Sequence, residues 1–575
     1  MTQNETLLLG IDIGTTGTKC AIYDLKGELV AHAYQEYSMI HPQPSWAEQD
    51  PHRWWNAVQT NLHNCFEQQG IDSSRIASIG LSCTNAMTLV DEAGEPVYNA
   101  IGHHDKRADP QVAWLRERVG EDLLLRVTAN KLDKGSFCLP SLRWLIDNRP
   151  ELVARAYKML MPSGYIIQKL TGKFSMNRPR MSLTSLSDIR TGEWSREIAK
   201  KAEIPFSLLP TPYDPCDIVG GVTEEAAHIT GLKAGTPVSA GCLDSVVATL
   251  GAGAVQEGDV ALTIGSSGRI CYIGSEPIYD KRLLNCRSPY QGLYTILQTT
   301  DNAGISLRWF RDVFGDAVQQ KAEAAGLSVY DYMNTLAEKV PAGCNGLVYL
   351  PYLAGEKSPI WDSDARGVFF GMSLSTDYGA FVRAIMEGVA LSMRDCMEIM
   401  PAAKKSISPI PLGGGAANSR VWCQIFADVL NRPSASRAVR RKLWAILSSP
   451  PRASALPTSP ATSVRSWPLR AKSSTPILRR HRSMIRPIRS IRLFIRTRKR
   501  YSKLPSSFFI LPFLLAPAFC ADAGWPGYFF VQKGLPGGAV PLPGESILIQ
   551  FKSFYSAETR TMHGPPASSE AYCTF

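Results

Sequence analysis

Residues 7–24 read LLLGIDIGTTGTKCAIYD, and residues 259–274 read DVALTIGSSGRICYIG. Each is an apolar run, a glycine turn carrying two small hydroxyl residues, and a second apolar run. The turns are Ile13-Gly14-Thr15-Thr16-Gly17 and Ile264-Gly265-Ser266-Ser267-Gly268. This pattern predicts a β-hairpin whose tip offers backbone N–H and hydroxyl donors at close range, which suits phosphate. Two copies about 250 residues apart predict two similar domains facing each other, with a nucleoside triphosphate held between them.

The surrounding chain agrees with an α/β architecture. At 575 residues it exceeds one hydrophobic core, and strand-like and helix-like stretches alternate. ASIGLSCTNAMTLVD (77–91) reads as strand, turn and strand, and PSLRWLIDNRPELVARA (140–156) has helical apolar spacing at Leu142, Leu145, Ile146 and Leu152. GLKAGTPVSAGCLDSVVATLGAGAV closes the first half with a buried strand, a glycine turn and a helix of small residues. In the second half a helix from about Tyr378 places Phe381, Ala384, Ile385 and Val389 on one side. The strand ISPIPL then leads into Gly413-Gly414-Gly415-Ala416-Ala417 and a helix opened by Asn418 or Ser419. Val421, Trp422, Ile425, Phe426 and Val429 give that helix an apolar face. The expected domains are 1–250 and 256–433.

After Pro433 the chain changes character. Residues 434–575 carry 22 Lys/Arg against 4 Asp/Glu, so a whole-chain charge of +11 divides into a tail of +18 and a body of −7. No acidic residue lies between Val429 and Ala521. One reading is a disordered basic linker, which can bind nucleic acid or an acidic membrane surface. Another is translation in a shifted frame. Met484 requires ATG and Ile485 begins AT, so the frame opening on the last base of the Ser483 codon contains GAT, an obligatory aspartate. That frame can continue as an aromatic-rich helix terminus. Such a tail is expected to be largely disordered and the second domain incomplete.

The thirteen cysteines include no C-x-x-C pair, so buried, reduced thiols of a cytoplasmic protein are expected rather than a disulfide scaffold or zinc site. No signal region is expected ahead of the first strand, and the apolar run Phe508–Cys520 is too short to span a bilayer and holds two prolines.

Three further features carry chemistry. Asp12, two residues before the first turn, can reach a magnesium ion bridging phosphates, although glycine and threonine also make plain structural turns. Asp244 follows the glycine turn at the end of the first half. Position alone leaves it open between a helix cap and a base accepting a proton from a hydroxyl that attacks phosphorus. Gly413-Gly414-Gly415 before a capped helix lets backbone approach a nucleotide, and is also compatible with an ordinary turn. His103-His104 offers imidazoles, but adjacent histidines are expected to point apart, which disfavours a metal site.

With these elements in this order, residues 7 to about 433 resemble the FGGY carbohydrate kinases. Further matches are Trp46-Ala47-Glu48-Gln49-Asp50-Pro51 with Trp54-Trp55, Trp144-Leu145, Leu170-Thr171-Gly172 and Gly192-Glu193-Trp194-Ser195. Pro351-Tyr352-Leu353-Ala354-Gly355-Glu356, Gly367-Val368-Phe369-Phe370-Gly371-Met372 and Arg383-Ala384-Ile385-Met386-Glu387-Gly388 complete the set. The resemblance implies two actin-like, ribonuclease-H-like domains with a nucleotide cleft between them. It also implies ATP- and Mg2+-dependent phosphorylation of a small sugar, sugar acid or polyol. By the same resemblance Asp12 is the magnesium carboxylate and Asp244 the catalytic base. Thr15, Thr16, Lys19, Gly265, Ser266 and Ser267 lie with the phosphates, and Gly414, Gly415 and Asn418 with adenosine. Thr84, Asn85, Asp105 and Arg107 fall on the sugar segments. Cys83-Thr84-Asn85-Ala86 and His103 depart from the Gln-Met-His-Gly and Trp of xylulokinase-like members, so the resemblance does not identify the sugar. Neither nucleic acid nor membrane is an expected partner, and any self-association is expected to be a homodimer. An actin- or chaperone-like ATPase and a nucleic-acid binder using the tail are the rival readings.

Overall fold

The computed structural model describes residues 6–133, 135, 137–400, 403, 406 and 408–436, together with the two-residue strands Ser473–Ser474, Ile549–Gln550 and Tyr572–Cys573. The chain divides at residue 491. Of the part beyond it, the described residues are one antiparallel ladder between Ile549–Gln550 and Tyr572–Cys573. The expectation of a low-order tail falls otherwise outside the described residues.

Two sheets of the same design organise the first 436 residues. In the first half the strands are β1 (Leu7–Ile13), β2 (Gly17–Asp24), β3 (Leu29–Glu36), β4 (Ile76–Cys83), β5 (Ile218–Gly221), β6 (Pro237–Ser239) and β7 (Cys242–Leu243). Their order is β5-β6-β4-β1-β2-β3, with β7 added beside β4. Strands β1, β2 and β3 run antiparallel, and β4 and β6 continue in parallel. The second half uses β8 (Val260–Ile264), β9 (Gly268–Gly274), β10 (Leu284–Arg287), β11 (Tyr294–Thr300), β12 (Ile410–Gly413) and β13 (Ser434–Ser436). The order β10-β11-β9-β8-β12-β13, closed by Ser473–Ser474 antiparallel to β13, again sets antiparallel strands, here four, before two parallel ones. This is the duplicated ribonuclease-H-like arrangement. Strand β13 lies just past the limit of 433 expected for the second domain.

Sequence explains the strand positions. All seven residues of β1 are buried, as a central strand with a parallel neighbour requires, whereas β2 exposes Lys19 on its outer face. The helices that fix the site are α1 (Asp244–Gly251), α2 (Gly304–Phe314), α3 (Tyr378–Glu398) and α4 (Arg420–Leu430). Helix α3 buries 16 of its 21 residues, more than the one-sided face expected. That burial is tolerated because Arg383 and Glu387 pair one turn apart at 2.7 Å and the carboxylate also accepts the Gly343 N–H at 3.0 Å. Helix α4 is capped by Ser419, whose hydroxyl accepts the Trp422 N–H at 3.2 Å, and stops at Asn431 in the left-handed conformation. The single helix expected over 140–156 is two, Cys138–Asn148 and Pro150–Arg155. Arg149 takes φ −143° and ψ 49° between them, since a residue before proline avoids the helical region.

The two halves are joined by a reciprocal amide lock. Asn130 Nδ2 donates to the Asn285 carbonyl at 2.9 Å and Asn130 Oδ1 accepts the Asn285 N–H at 2.8 Å, with both side chains fully buried. Around it an apolar cluster brings Leu8, Tyr23, Leu243 and Val246 against Cys271, Leu284 and Leu297.

Candidate active site

The site begins with one row of the first sheet. Ile13 is opposite Cys83, and Cys83 is opposite Leu243, so β1, β4 and β7 end together. The next residues along each chain are Gly14-Thr15, Thr84-Asn85 and Asp244, which therefore leave the sheet side by side. Hydrogen bonds hold them there. The Thr84 N–H donates to the Ile13 carbonyl at 2.8 Å, the hydroxyls of Thr15 and Thr84 meet at 3.0 Å, and Gln49 Nε2 donates to the Thr15 carbonyl at 2.7 Å. The carboxyl edge of parallel strands is where open α/β sheets receive ligands.

Asp12 lies one row deeper, opposite both Ser82 and Lys19. Its Oδ1 accepts the Ser82 hydroxyl at 2.5 Å. Lys19 is exposed, with its ammonium 5.8 Å from the Tyr34 ring centre. Asp244 occupies the first turn of α1, directly after Leu243 at the cap position. Its charge is felt by His103 and Cys83 of the first half and by Cys271 and Cys286 of the second, which sets it at the junction.

The second half repeats the plan. Gly265 N–H closes the turn onto the Ser267 carbonyl at 2.9 Å, leaving Ser266 and Ser267 exposed, as Gly14 N–H closes onto Gly17 at 3.0 Å. The start of α2 buttresses the turn: the Ala303 and Gly304 N–H groups donate to the Ser266 and Gly265 carbonyls at 3.0 and 2.8 Å. Arg308, not singled out in the sequence, reaches back from α2 and donates to the Ser266 hydroxyl at 3.1 Å. Leu412 of β12 is opposite Leu262 of β8, so the triple-glycine loop emerges beside the turn. Gly414 has φ +84°, and a Cβ there would lie 2.3 Å from the Ile264 carbonyl oxygen. Only glycine allows that approach. Gly415 and Asn418 are exposed on the short turn that follows.

Asp105 and Arg107, expected on the sugar segments, form a buried cluster with Glu48 and Trp46. The Arg107 guanidinium donates to Asp105 at 2.9 and 2.7 Å, also bridges to Glu48 at 2.7 Å, and lies 3.6 Å from the Trp46 ring centre. Both side chains are about 1% exposed. The histidine expectation is corrected. The rings of His103 and His104 do not point apart but lie 3.8 Å centre to centre, tilted by 41°. Burial first, then the neighbouring His104 and Lys357, lower His103 to about 3, keeping its imidazole neutral. Among the described residues no group of three or more His, Cys, Asp or Glu is placed to hold a metal ion. Arg180 is a further buried cation missed in the sequence: its Nη2 donates to the Cys83 carbonyl at 2.9 Å, directly behind Thr84, while Nε and Nη1 find no hydrogen-bond partner among the described residues.

Residues 7–251 match the N-terminal domain of the FGGY family of carbohydrate kinases, and residues 260–440 match its C-terminal domain. The chain is 30% identical over 430 residues to the gluconokinase of Bacillus licheniformis, covering 73% of this chain and 82% of that protein. It is 31% identical over 431 residues to the xylulose kinase of Bacillus subtilis, covering 74% and 83%. The crystal structure of xylulose kinase from Rhodospirillum rubrum superposes with a TM-score of 0.76 at 29% identity, over 86% of this chain and 99% of that one. The duplicated hairpins, the acidic residue between them and these matches over both halves lead to one conclusion: the chain belongs to the FGGY family of carbohydrate kinases, enzymes of ATP-dependent sugar phosphorylation.

Proposed function

We propose that the phosphoryl acceptor, a small sugar, sugar acid or polyol, binds at the shared ends of β1, β4 and β7, with Asp244 as its general base. The observation that carries this is the in-register row Ile13–Cys83–Leu243, which delivers a hydroxyl turn, the Thr84-Asn85 turn and a carboxylate to one place. In this reading Asp244 accepts the proton of the acceptor hydroxyl as its oxygen bonds to the γ-phosphorus, and the bond to the ADP oxygen breaks. Thr15, Thr16, Ser266 and Ser267 grip the triphosphate, Lys19 lies beside the first turn, and the Gly414-Gly415 loop with Asn418 takes the adenosine. Thr84 and Asn85 line the acceptor side. Catalysis is then positioning and charge stabilisation.

Asp12 suits a magnesium ion. It is a buried carboxylate one row below the phosphate turn, and magnesium is ordinarily bound by one or two carboxylates plus phosphate oxygens and water rather than by a protein cage. Bound there, the ion would supply charge neutralisation at the phosphates. The reading is tested by label transfer from γ-labelled ATP to D-gluconate, D-xylulose and glycerol. Labelled sugar phosphate is expected, and label released only as inorganic phosphate would favour an ATPase without an acceptor.

We also infer that the residues after Pro433 come from a shifted reading frame, and that this chain is consequently a poor kinase. The family match ends at residue 440, inside the stretch from Val429 to Ala521 that lacks any acidic residue. Among the described residues no helix is long and apolar enough to cross a membrane, and ten of the eleven free cysteines described are buried. Both features support a cytoplasmic enzyme.

A further inference from the structure

Two loops of the second half are fastened to each other beside the Gly265–Gly268 turn. The first, Thr300–Gly304, runs from β11 to the second phosphate turn, where its Ala303 and Gly304 N–H groups are bound. The second, Ala354–Ser358, is fastened along it. Asn302 Nδ2 donates to the Gly355 carbonyl at 2.6 Å and Asn302 Oδ1 accepts the Ala354 N–H at 3.1 Å. The Glu356 carboxylate, 4% exposed, accepts the Asp301 N–H at 3.0 Å, the Lys357 N–H at 2.7 Å and the Thr300 hydroxyl. The Ser358 N–H donates to the Thr299 carbonyl at 2.9 Å. One buried carboxyl group thus organises three donors of this two-loop strap, and its removal would leave them unsatisfied.

The strap ends in a cation. Lys357 Nζ lies 3.0 Å from Asp301 Oδ1, and its side chain is 28% exposed. Its charge acts on both His103 and His104, that of Asp301 on His104, and that of Asp244 on His103. Lys357 with Asp301 therefore lies near the stacked imidazole pair, whose His103 also neighbours Asp244 and donates its backbone N–H to the Asn85 carbonyl at 2.9 Å. Asp301 engages one of the three ammonium donors, leaving the others for hydroxyl or carboxylate oxygens of a bound molecule.

We propose that Lys357 is the residue through which the second half contacts the phosphoryl acceptor, and that Glu356 is the positioning residue that seats it. This rests on the acceptor site proposed beside Asp244. It adds a contact delivered by the nucleotide-binding half, tied through the strap to the second phosphate turn.

The test uses the full chain carrying Lys357→Met, Lys357→Arg or Glu356→Gln. Titrations of the His103 and His104 rings are followed by NMR with nitrogen-15 histidine. Binding of D-gluconate and D-xylulose is measured by calorimetry beside a non-hydrolysable ATP analogue. Lys357→Met should raise the titration midpoints of both rings, because removing a nearby cation favours imidazolium, and Lys357→Arg should keep them low. Lys357→Met should also weaken whichever sugar binds by about tenfold, the range for one hydrogen bond to a charged group, with the affinity for the ATP analogue unchanged. Glu356→Gln should shift the rings in the same direction as Lys357 leaves its seat. Ring titrations unmoved by Lys357→Met would overturn the placement of Lys357, and sugar affinity unmoved by it would overturn the contact. Rings unmoved by Glu356→Gln would overturn the positioning role. A chain that binds no ATP analogue would count against the kinase reading instead, and the ring titrations would still decide where Lys357 sits.

Discussion

Thr15 and Thr84 meet hydroxyl to hydroxyl at 3.0 Å although 69 residues separate them. That contact places the first hydroxyl turn against the Thr84-Asn85 turn. Its counterpart in the second half, Ser266, is held by Arg308. If the two turns grip different parts of one triphosphate, replacing Thr15 and Thr16 by alanine, or Ser266 and Ser267 by alanine, should weaken ATP-magnesium binding in both cases. Each lost charge-assisted hydrogen bond should cost about 1.5–3 kcal/mol by calorimetry. An effect confined to the first pair would dissolve the two-turn clamp. The turns were legible in the sequence because glycine spacing and small hydroxyls are local signals. The bracing of Asp105 and Arg107 was not, because the third member, Glu48, comes from 59 residues earlier and no local pattern announces the triad.

At the level of elements, the triple-glycine loop is shaped by what it touches. With φ +84° and the Ile264 carbonyl where its Cβ would be, Gly414 cannot become alanine without moving β12 away from β8 or displacing the second phosphate turn. Gly414→Ala should cost about 1–3 kcal/mol for the backbone conformation alone. Both the thermal midpoint and the ATP affinity should fall, and a variant with wild-type affinity would show that the loop does not bear on the nucleotide.

The loop holding Glu356 makes a pH prediction. Burial raises its carboxyl from 4.5 to about 7, opposed by the hydrogen bonds from Thr300, Asp301 and Lys357 and reinforced by the Asp301 charge. Tyr352, and Cys396 on α3, also feel the Glu356 charge. The folded value lies above the unfolded one, so the stabilisation is complete below about 4.5 and is lost as pH rises through about 7. Between about pH 5 and 8 the urea midpoint of Glu356→Gln should therefore rise relative to that of the parent. A constant gap would mean that Glu356 is ionised throughout. The strand–turn–helix order of these elements followed from apolar periodicity. The break at Arg149 was signalled by Pro150, and the enclosure of α3 was hidden because a buried Arg383–Glu387 pair reads as a polar face.

Across the whole molecule, the two halves are built alike and joined by the Asn130–Asn285 lock, so that Asp244 stands where the end of the first sheet meets the second half. Duplication was visible from the repeated hairpin, whereas the lock and the strap are long-range pairings with no local signature. The second sheet continues past β13 to Ser473–Ser474, but the family match ends at residue 440, within the stretch that lacks acidic residues. A gene with the frame restored after the Pro433 codon should therefore yield a faster kinase than this chain under the same label-transfer assay. Equal turnover by both would refute the shifted-frame reading. The central claim, that Asp244 takes the acceptor's proton at the junction of the two phosphate turns, is tested most directly by Asp244→Asn in the frame-restored enzyme. Phosphoryl transfer to its sugar should fall by at least about 10²-fold, the effect of losing a general base, while ATP-magnesium binds as before. Near-normal turnover in that variant would contradict the account.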